Sequence, residues 1–174
     1  MIIAFWALFL IVLGSIVWGS IRSGISPMPT LPKVKLHLLE SIPNDIEGTI
    51  LELGAGWGTL AFPLAERYRH CTIIAYETSW IPYLFCTLRQ WIRPRLNIRI
   101  VHQDFFEVPL GDASLLVCYL YRGAMQRLSE KLIQELKPGA LVVSHTFSIP
   151  GWSPESILVV DDLYRTPIYQ YRKG

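Results

Sequence analysis

Three carboxylates and a run of glycines are the residues of this chain best suited to holding a ligand. Glu52 sits inside the apolar run Ile50 to Leu53, and Gly54-Ala55-Gly56-Trp57-Gly58 follows at once. Glycines at such a point let the backbone turn tightly and approach a ligand with no Cβ in the way. Glu77 lies about 20 residues beyond the loop, where nucleotide-binding α/β units place a carboxylate to accept hydrogen bonds from ribose hydroxyls. Asp104 follows a third apolar run, where a carboxylate would accept from an adenine amino group. A second set, Tyr119, Tyr121, Phe147 and Trp152, offers ring faces to a cation. Beside them His145 is a candidate proton acceptor. Core aromatics and a structural histidine are the plainer reading of the same residues, above all for Phe147.

Glycine spacing separates the ligand classes that such a loop serves. A dinucleotide fingerprint G-x-G-x-x-G needs glycine at position 59, where this chain has Thr59. The spacing G-x-G-x-G after an acidic residue resembles instead motif I of the class I S-adenosylmethionine (SAM) methyltransferases. There the loop passes under the adenosyl and methionine moieties, and a helix N-terminus favours the methionine carboxylate. A glycine-rich turn without any ligand is the alternative, so the positions around the loop must decide.

The elements that would position these residues alternate. Thr49 to Leu53 reads as a buried strand, and a helix from about Thr59 to Arg69 would bury Leu60, Leu64 and Tyr68, with Pro63 tolerated in the first turn. Thr72 to Tyr76 is a second strand. Ser79 is a candidate N-cap for a helix with the stripe Ile81, Leu84, Phe85, Leu88 and Ile92, stopped by Pro94. Ile98 to His102 is a third strand and Leu115 to Leu120 a fully buried fourth. A helix carrying Met125, Leu128, Leu132 and Leu136 then leads through Lys137-Pro-Gly139 to strand five, Ala140 to Ser144. Ile157 to Val160 and Ile168 to Tyr171 close the chain as an antiparallel pair, and Lys33 to Ser41 is a short leading helix with Leu36 and Leu39 on one side. This pattern predicts an α/β, Rossmann-like, mostly parallel sheet with an antiparallel closing strand. Ligands of such sheets bind outside the carboxyl ends of the strands, where Glu52, Gly54, Glu77, Asp104, Tyr119 and His145 all fall.

Composition adds a membrane expectation. No charged side chain occurs from Met1 to Ile21 in the 174 residues, and about 20 apolar residues suffice to cross a bilayer core. Basic residues before the run and an A-x-A-like site after it are both lacking, so an uncleaved transmembrane helix over residues 1–21 is expected, not a signal peptide. Arg22, Lys33 and Lys35 on its far side predict a cytoplasmic domain on a single-pass anchor, most simply in a bacterial inner membrane. The expected organisation is an anchor at 1–21, a linker rich in Ser, Gly and Pro at 22–32, and one catalytic domain at 33–174. A net charge of +2 gives no reason to expect nucleic acid. Arg89, Arg93, Arg95 and Arg99, interleaved with Trp91, are a local exception suited to phosphate or anionic lipid, or simply a solvated helix end. Cys71, Cys86 and Cys118 are odd in number and widely spaced, so neither a disulfide framework nor a metal site is expected.

From about Pro27 to Pro154 the chain resembles the small protein-lysine methyltransferases of the ATP synthase c subunit and the adenine nucleotide translocase, with their bacterial relatives. The matching stretches are Pro29-Thr30, Leu51-Glu-Leu-Gly-Ala-Gly56, Tyr76-Glu77, His102-Gln-Asp104, Leu132 to Ala140, and Phe147-Ser-Ile-Pro-Gly-Trp152-Ser-Pro154. The resemblance implies SAM as cofactor, held by Thr30, Glu52, Gly54, Ala55, Gly56, Gly58, Glu77 and Asp104. It also implies a lysine of a membrane protein as the substrate, while the chemistry of the residues themselves makes Tyr119 and His145 the candidate catalytic residues and Tyr121 and Trp152 the candidates to face the substrate. Two departures stand out. Trp57 replaces the family's usual acidic residue between the second and third glycines, and Ser144-His145-Thr146 stands where Cys-Arg often precedes the phenylalanine. A methyltransferase for a lipid or quinone-like small molecule, and a SAM-binding membrane scaffold without catalysis, are the alternative readings. The absence of a large insertion able to cover a small substrate speaks against the first.

Overall fold

A computed structural model describes residues 28–174, together with Trp6 and Gly14. The expected span at 1–21 and most of the linker lie outside the described residues. Among the described residues, no helix is long and apolar enough to cross a membrane.

The strands form where apolar, β-branched runs stand between turn residues. They are β1 (Thr49–Leu53), β2 (Thr72–Glu77), β3 (Ile98–His102), β4 (Ala113–Cys118), β5 (Leu141–His145), β6 (Ser156–Val159) and β7 (Pro167–Arg172). They make one sheet in the order β3-β2-β1-β4-β5-β7-β6. The first five are mutually parallel, and β7 runs antiparallel to both β5 and β6. Strand order reverses between β1 and β4, and that switch point is where an open α/β sheet leaves a crevice for a ligand.

Helices cover both faces: α1 (Pro32–Ser41), α2 (Ala61–Arg67), α3 (Trp80–Ile92) and α4 (Arg122–Glu135). Ile50, Leu115, Val117 and Val143 point to one side, where Val34 and Leu38 of α1 and Leu64 of α2 meet them. Leu51, Leu53, Leu116 and Val142 point to the other, against Met125, Leu128 and Leu132 of α4. Strands buried on both faces read as continuous apolar runs, which is why β1 and β4 were visible in the sequence. Cys71, Cys86 and Cys118 are free and buried.

Several local expectations change. α1 buries Val34 and Leu38, and Leu36 faces solvent. α2 is shorter than the pattern implied: residues 57–60 form turns, and Pro63 then falls within the first helical turn. β4 begins and ends two residues early, so Tyr119 and Leu120 lie beyond it. The largest correction concerns α3. Its stripe of Leu84, Phe85, Leu88 and Ile92 is exposed, and the helix rests on the sheet through Pro82 and Cys86.

Candidate active site

The glycine loop is tied down at the carboxyl edge of the sheet. The amides of Gly54 and Ala55 both donate to the Tyr76 carbonyl, at 3.0 and 2.8 Å, so the loop starts hard against the end of β2. Glu77 takes over one residue later. Its Oε2 accepts from the Gly56 amide and its Oε1 from the Ser79 amide, both at 2.7 Å. Ser79 thus occupies the N-cap position of α3 but makes no side-chain cap; its backbone binds Glu77 instead. Gly56, at φ +54°, leaves open space where a Cβ would project. Gly58, at φ +68°, has no such room, because a Cβ there would sit 2.6 Å from the Phe62 ring.

Glu52 is the electrostatic anomaly of the site. Burial first, and then the charge of Glu77, hold its carboxyl well above the ordinary carboxylate range. The Ala61 amide donates to it and pulls the other way, while its Oε2 is buried with no hydrogen-bond partner. A buried acceptor left open is costly unless something completes it. The amino group and sulfonium of SAM are a cationic complement to that oxygen, and the open backbone at Gly56 admits close approach. The residues present therefore fit this cofactor.

Asp104 stands at the end of β3, but its Oδ1 accepts from the Phe106 amide at 2.9 Å, capping the 3₁₀ turn Phe105–Glu107. Its other oxygen remains for a ligand. Sequence reasoning passed over the pair beside it. Trp80 stacks on His102 at a centroid distance of 3.8 Å, and His102 Nε2 lies 2.8 Å from the Thr78 carbonyl oxygen. Both residues flank Glu77 and Asp104 in the sequence, and that adjacency was the available signal.

Across the switch point a second cluster assembles around His145. Its ring stacks on Tyr119 at 4.1 Å, its Nε2 lies 3.2 Å from Thr30 Oγ1, and its Nδ1 lies 3.1 Å from Thr146 Oγ1. Two hydroxyls can satisfy either neutral tautomer of the imidazole, since each can donate or accept. Burial pushes the ring's pKa down to about 4, so it stays uncharged at neutral pH. Thr146 adopts φ 70°, a left-handed conformation that is uncommon for a β-branched residue. The Thr30 amide also donates to Thr59 Oγ1 at 3.4 Å, which draws the segment before α1 across to the glycine loop.

Tyr121 is at the N-cap position of α4, and the missing side chain of Gly123 makes room for its ring. Trp152 goes elsewhere. It meets Tyr171 edge-on at 6.2 Å, with Lys173 over its ring, alongside residues that pair with the start of β5. Thr30, Gly54, Gly56, Glu52, Glu77, Asp104, Tyr119 and His145 thus gather at one edge, and Trp152 does not join them. Among the described residues no group of three His, Cys, Asp or Glu is placed to hold a metal ion.

This sheet order with a glycine loop at the switch point defines a SAM-dependent methyltransferase, and the known proteins it resembles agree. Residues 52–156 match the family model described as the ANTKMT methyltransferase domain. A protein-lysine N-methyltransferase of Saccharolobus islandicus is 30% identical over 145 residues, covering 78% of this chain and 84% of that one. The adenine nucleotide translocase lysine N-methyltransferase of Mus musculus is 29% identical over 126 residues; the match takes in 71% of this chain but only 52% of the mouse protein. Among solved structures, an RNA methyltransferase of Salinibacter ruber in complex with S-adenosyl-L-homocysteine superposes with a TM-score of 0.70 at 23% identity, covering 83% of this chain and 93% of that one. The chain belongs to the ANTKMT methyltransferase family, and its cofactor is SAM.

Proposed function

We propose that this methyltransferase modifies a lysine side chain of a membrane protein, from a domain held on the cytoplasmic face of the membrane by residues 1–21. The observation that carries the lysine reading is the 30% identity to the archaeal protein-lysine methyltransferase, spread over 78% of this chain. SAM supplies the electrophilic methyl group. Glu77 and Asp104 are the residues proposed to hold its ribose and adenine, with Thr30, Glu52, Gly54, Ala55, Gly56 and Gly58 forming the rest of the cradle.

The work left to the protein is to hold donor and nucleophile in line and to keep the amine neutral. A lysine has an ordinary pKa of about 10.4, so a desolvating, uncharged neighbourhood favours the reactive form. Tyr119 and His145 provide that. The histidine is buried and neutral, adds no positive charge to repel an approaching ammonium, and lies stacked against a ring that can receive a cation on its face. Tyr121 stands nearby in the chain as a substrate-facing residue.

The membrane reading rests on the uncharged run of residues 1–21 and the basic residues after it. A linker of about ten residues reaches only ~16 to 19 Å on average, which confines the domain near the bilayer surface and raises its effective concentration toward membrane-embedded targets. The test is to incubate membranes from cells lacking the protein with the purified full-length chain and methyl-labelled SAM. Label recovered as methyl-lysine in a membrane protein supports the proposal. Label in extractable lipid replaces it with the small-molecule reading.

A further inference from the structure

A helix lying on a sheet normally turns its apolar stripe inward, and α3 does the opposite. Trp80, Leu84, Leu88, Trp91 and Ile92 recur at spacings of three, four and one along this 13-residue helix, and all five are exposed, Trp91 by 80%. Phe85 borders the stripe and meets Trp57 of the glycine loop edge-on at 5.4 Å. Leu96, just past the helix, is fully exposed as well. The helix contains no acidic residue.

Arginines outnumber carboxylates around this face. Arg89 lies over the Phe62 ring, Arg95 pairs with Glu66, and Arg93 is exposed with no carboxylate within ion-pairing distance among the described residues. Tryptophan at both ends, leucine between, and arginines at the rim are what an interfacial helix needs. The rings and aliphatic chains enter the acyl boundary while guanidinium groups remain at the headgroups.

We propose that the exposed face of α3 docks onto the anionic surface of a lipid bilayer. Each arginine near such a surface strengthens partitioning about fivefold. Two other occupants fit less well. A second copy would bring two sets of the same arginines into one interface with no acid on either helix. Residues 1–21 carry no charged side chain, so laid on α3 they would still leave much of their own apolar surface in water. A bilayer covers both. Docking through α3 also has a consequence for the active site, since the Trp57–Phe85 contact couples the docked helix to the glycine loop. The inference stands on α3 itself and holds whether or not residues 1–21 span the membrane.

The experiment attaches a polarity-sensitive fluorophore at Leu88→Cys, or at Trp91→Cys as a second site, in the full chain; the buried native thiols stay unlabelled. Vesicles of phosphatidylcholine, with or without phosphatidylglycerol, carry a lipid-borne quencher. Emission should shift to the blue and be quenched with phosphatidylglycerol present, several-fold more than without it. A label at Tyr164→Cys, an exposed residue in the turn between β6 and β7, should stay in water. Reversing Arg93 to Glu should sharply reduce the advantage of phosphatidylglycerol. An unquenched α3 label overturns the proposal, and a blue shift without quenching would assign the face to a protein segment. Equal quenching in both lipids would overturn the anionic preference.

Discussion

Thr30 and His145 are separated by 115 positions, yet the threonine hydroxyl lies 3.2 Å from Nε2 of the buried imidazole. This contact fastens the segment before α1 to the end of β5, across the face where β1 and β4 part. It makes Thr30 a positioning residue for the His145 ring. In Thr30→Val the ring nitrogen loses its partner in a buried setting, at a cost of about 1 to 3 kcal/mol. Methyl transfer should fall along with thermal stability, and Thr30→Ser should restore most of both. Equal transfer rates in the valine and serine variants would remove Thr30 from this role.

The pKa of His145 predicts an acid limb in stability. Burial takes it from an ordinary value of 6.5 to about 4. Between those values the unfolded chain takes up a proton that the folded chain refuses, so stability falls as pH drops through the window. The loss is up to about 3 kcal/mol. Glu52 acts in the opposite sense. Its raised pKa makes the folded chain hold a proton that the unfolded chain releases, so stability falls as pH rises above 4.5 toward the raised value. Denaturant titrations at several pH values separate the two. In His145→Asn the loss below pH 6.5 should flatten, and an unchanged slope would mean that the ring is accessible to protons in the folded state.

Two glycines of the loop should respond differently to alanine. Both have positive φ, so each substitution carries a backbone cost of about 1 kcal/mol or more. At Gly58 the new Cβ also meets the Phe62 ring, whereas at Gly56 it enters open space. Gly58→Ala should lower the melting temperature more, and Gly56→Ala should lower SAM affinity more than stability. Calorimetric melting and titration on the same two variants check the ordering.

Much of this architecture is legible in the sequence. β1 and β3 could be read to the residue because Thr49 and Ile98 follow turn residues and the strands carry short apolar runs. The gathering of Glu52, Gly54, Glu77, Asp104, Tyr119 and His145 followed from one rule about parallel sheets, that ligands lie at the carboxyl ends. Other features have physical reasons for staying hidden. The α3 stripe has the right period for a core-facing helix, and periodicity reports that a helix has two faces without saying which one turns inward. Asp104 was seen as a ligand carboxylate but not as the cap of a 3₁₀ turn, which needs the backbone path. Trp152 was grouped with Tyr119 by its aromatic character, and the turn at Ile149 to Trp152 carries it to Tyr171 instead. The Thr30 contact with His145 has no local signature at all.

The proposed anchor makes a separable prediction. Protease added outside intact cells should leave the domain uncut, and the protein should resist extraction by high salt or carbonate. Deleting residues 1–21 should leave SAM binding intact and sharply reduce methylation of the native target in membranes. Release of the full-length chain by a carbonate wash would contradict a spanning segment.

Glu77 is the residue on which the proposed SAM site most depends, so the decisive experiment is calorimetric titration of SAM into the wild-type chain and Glu77→Ala, with Glu77→Gln as a variant that keeps one acceptor. Loss of hydrogen bonds to a charged carboxylate costs about 1.5 to 3 kcal/mol, which is roughly a ten- to hundredfold weaker affinity. That weakening is expected for alanine, with glutamine in between and the far-ultraviolet circular dichroism of all three alike. Unchanged affinity in a folded Glu77→Ala protein would place the cofactor elsewhere and contradict the site described.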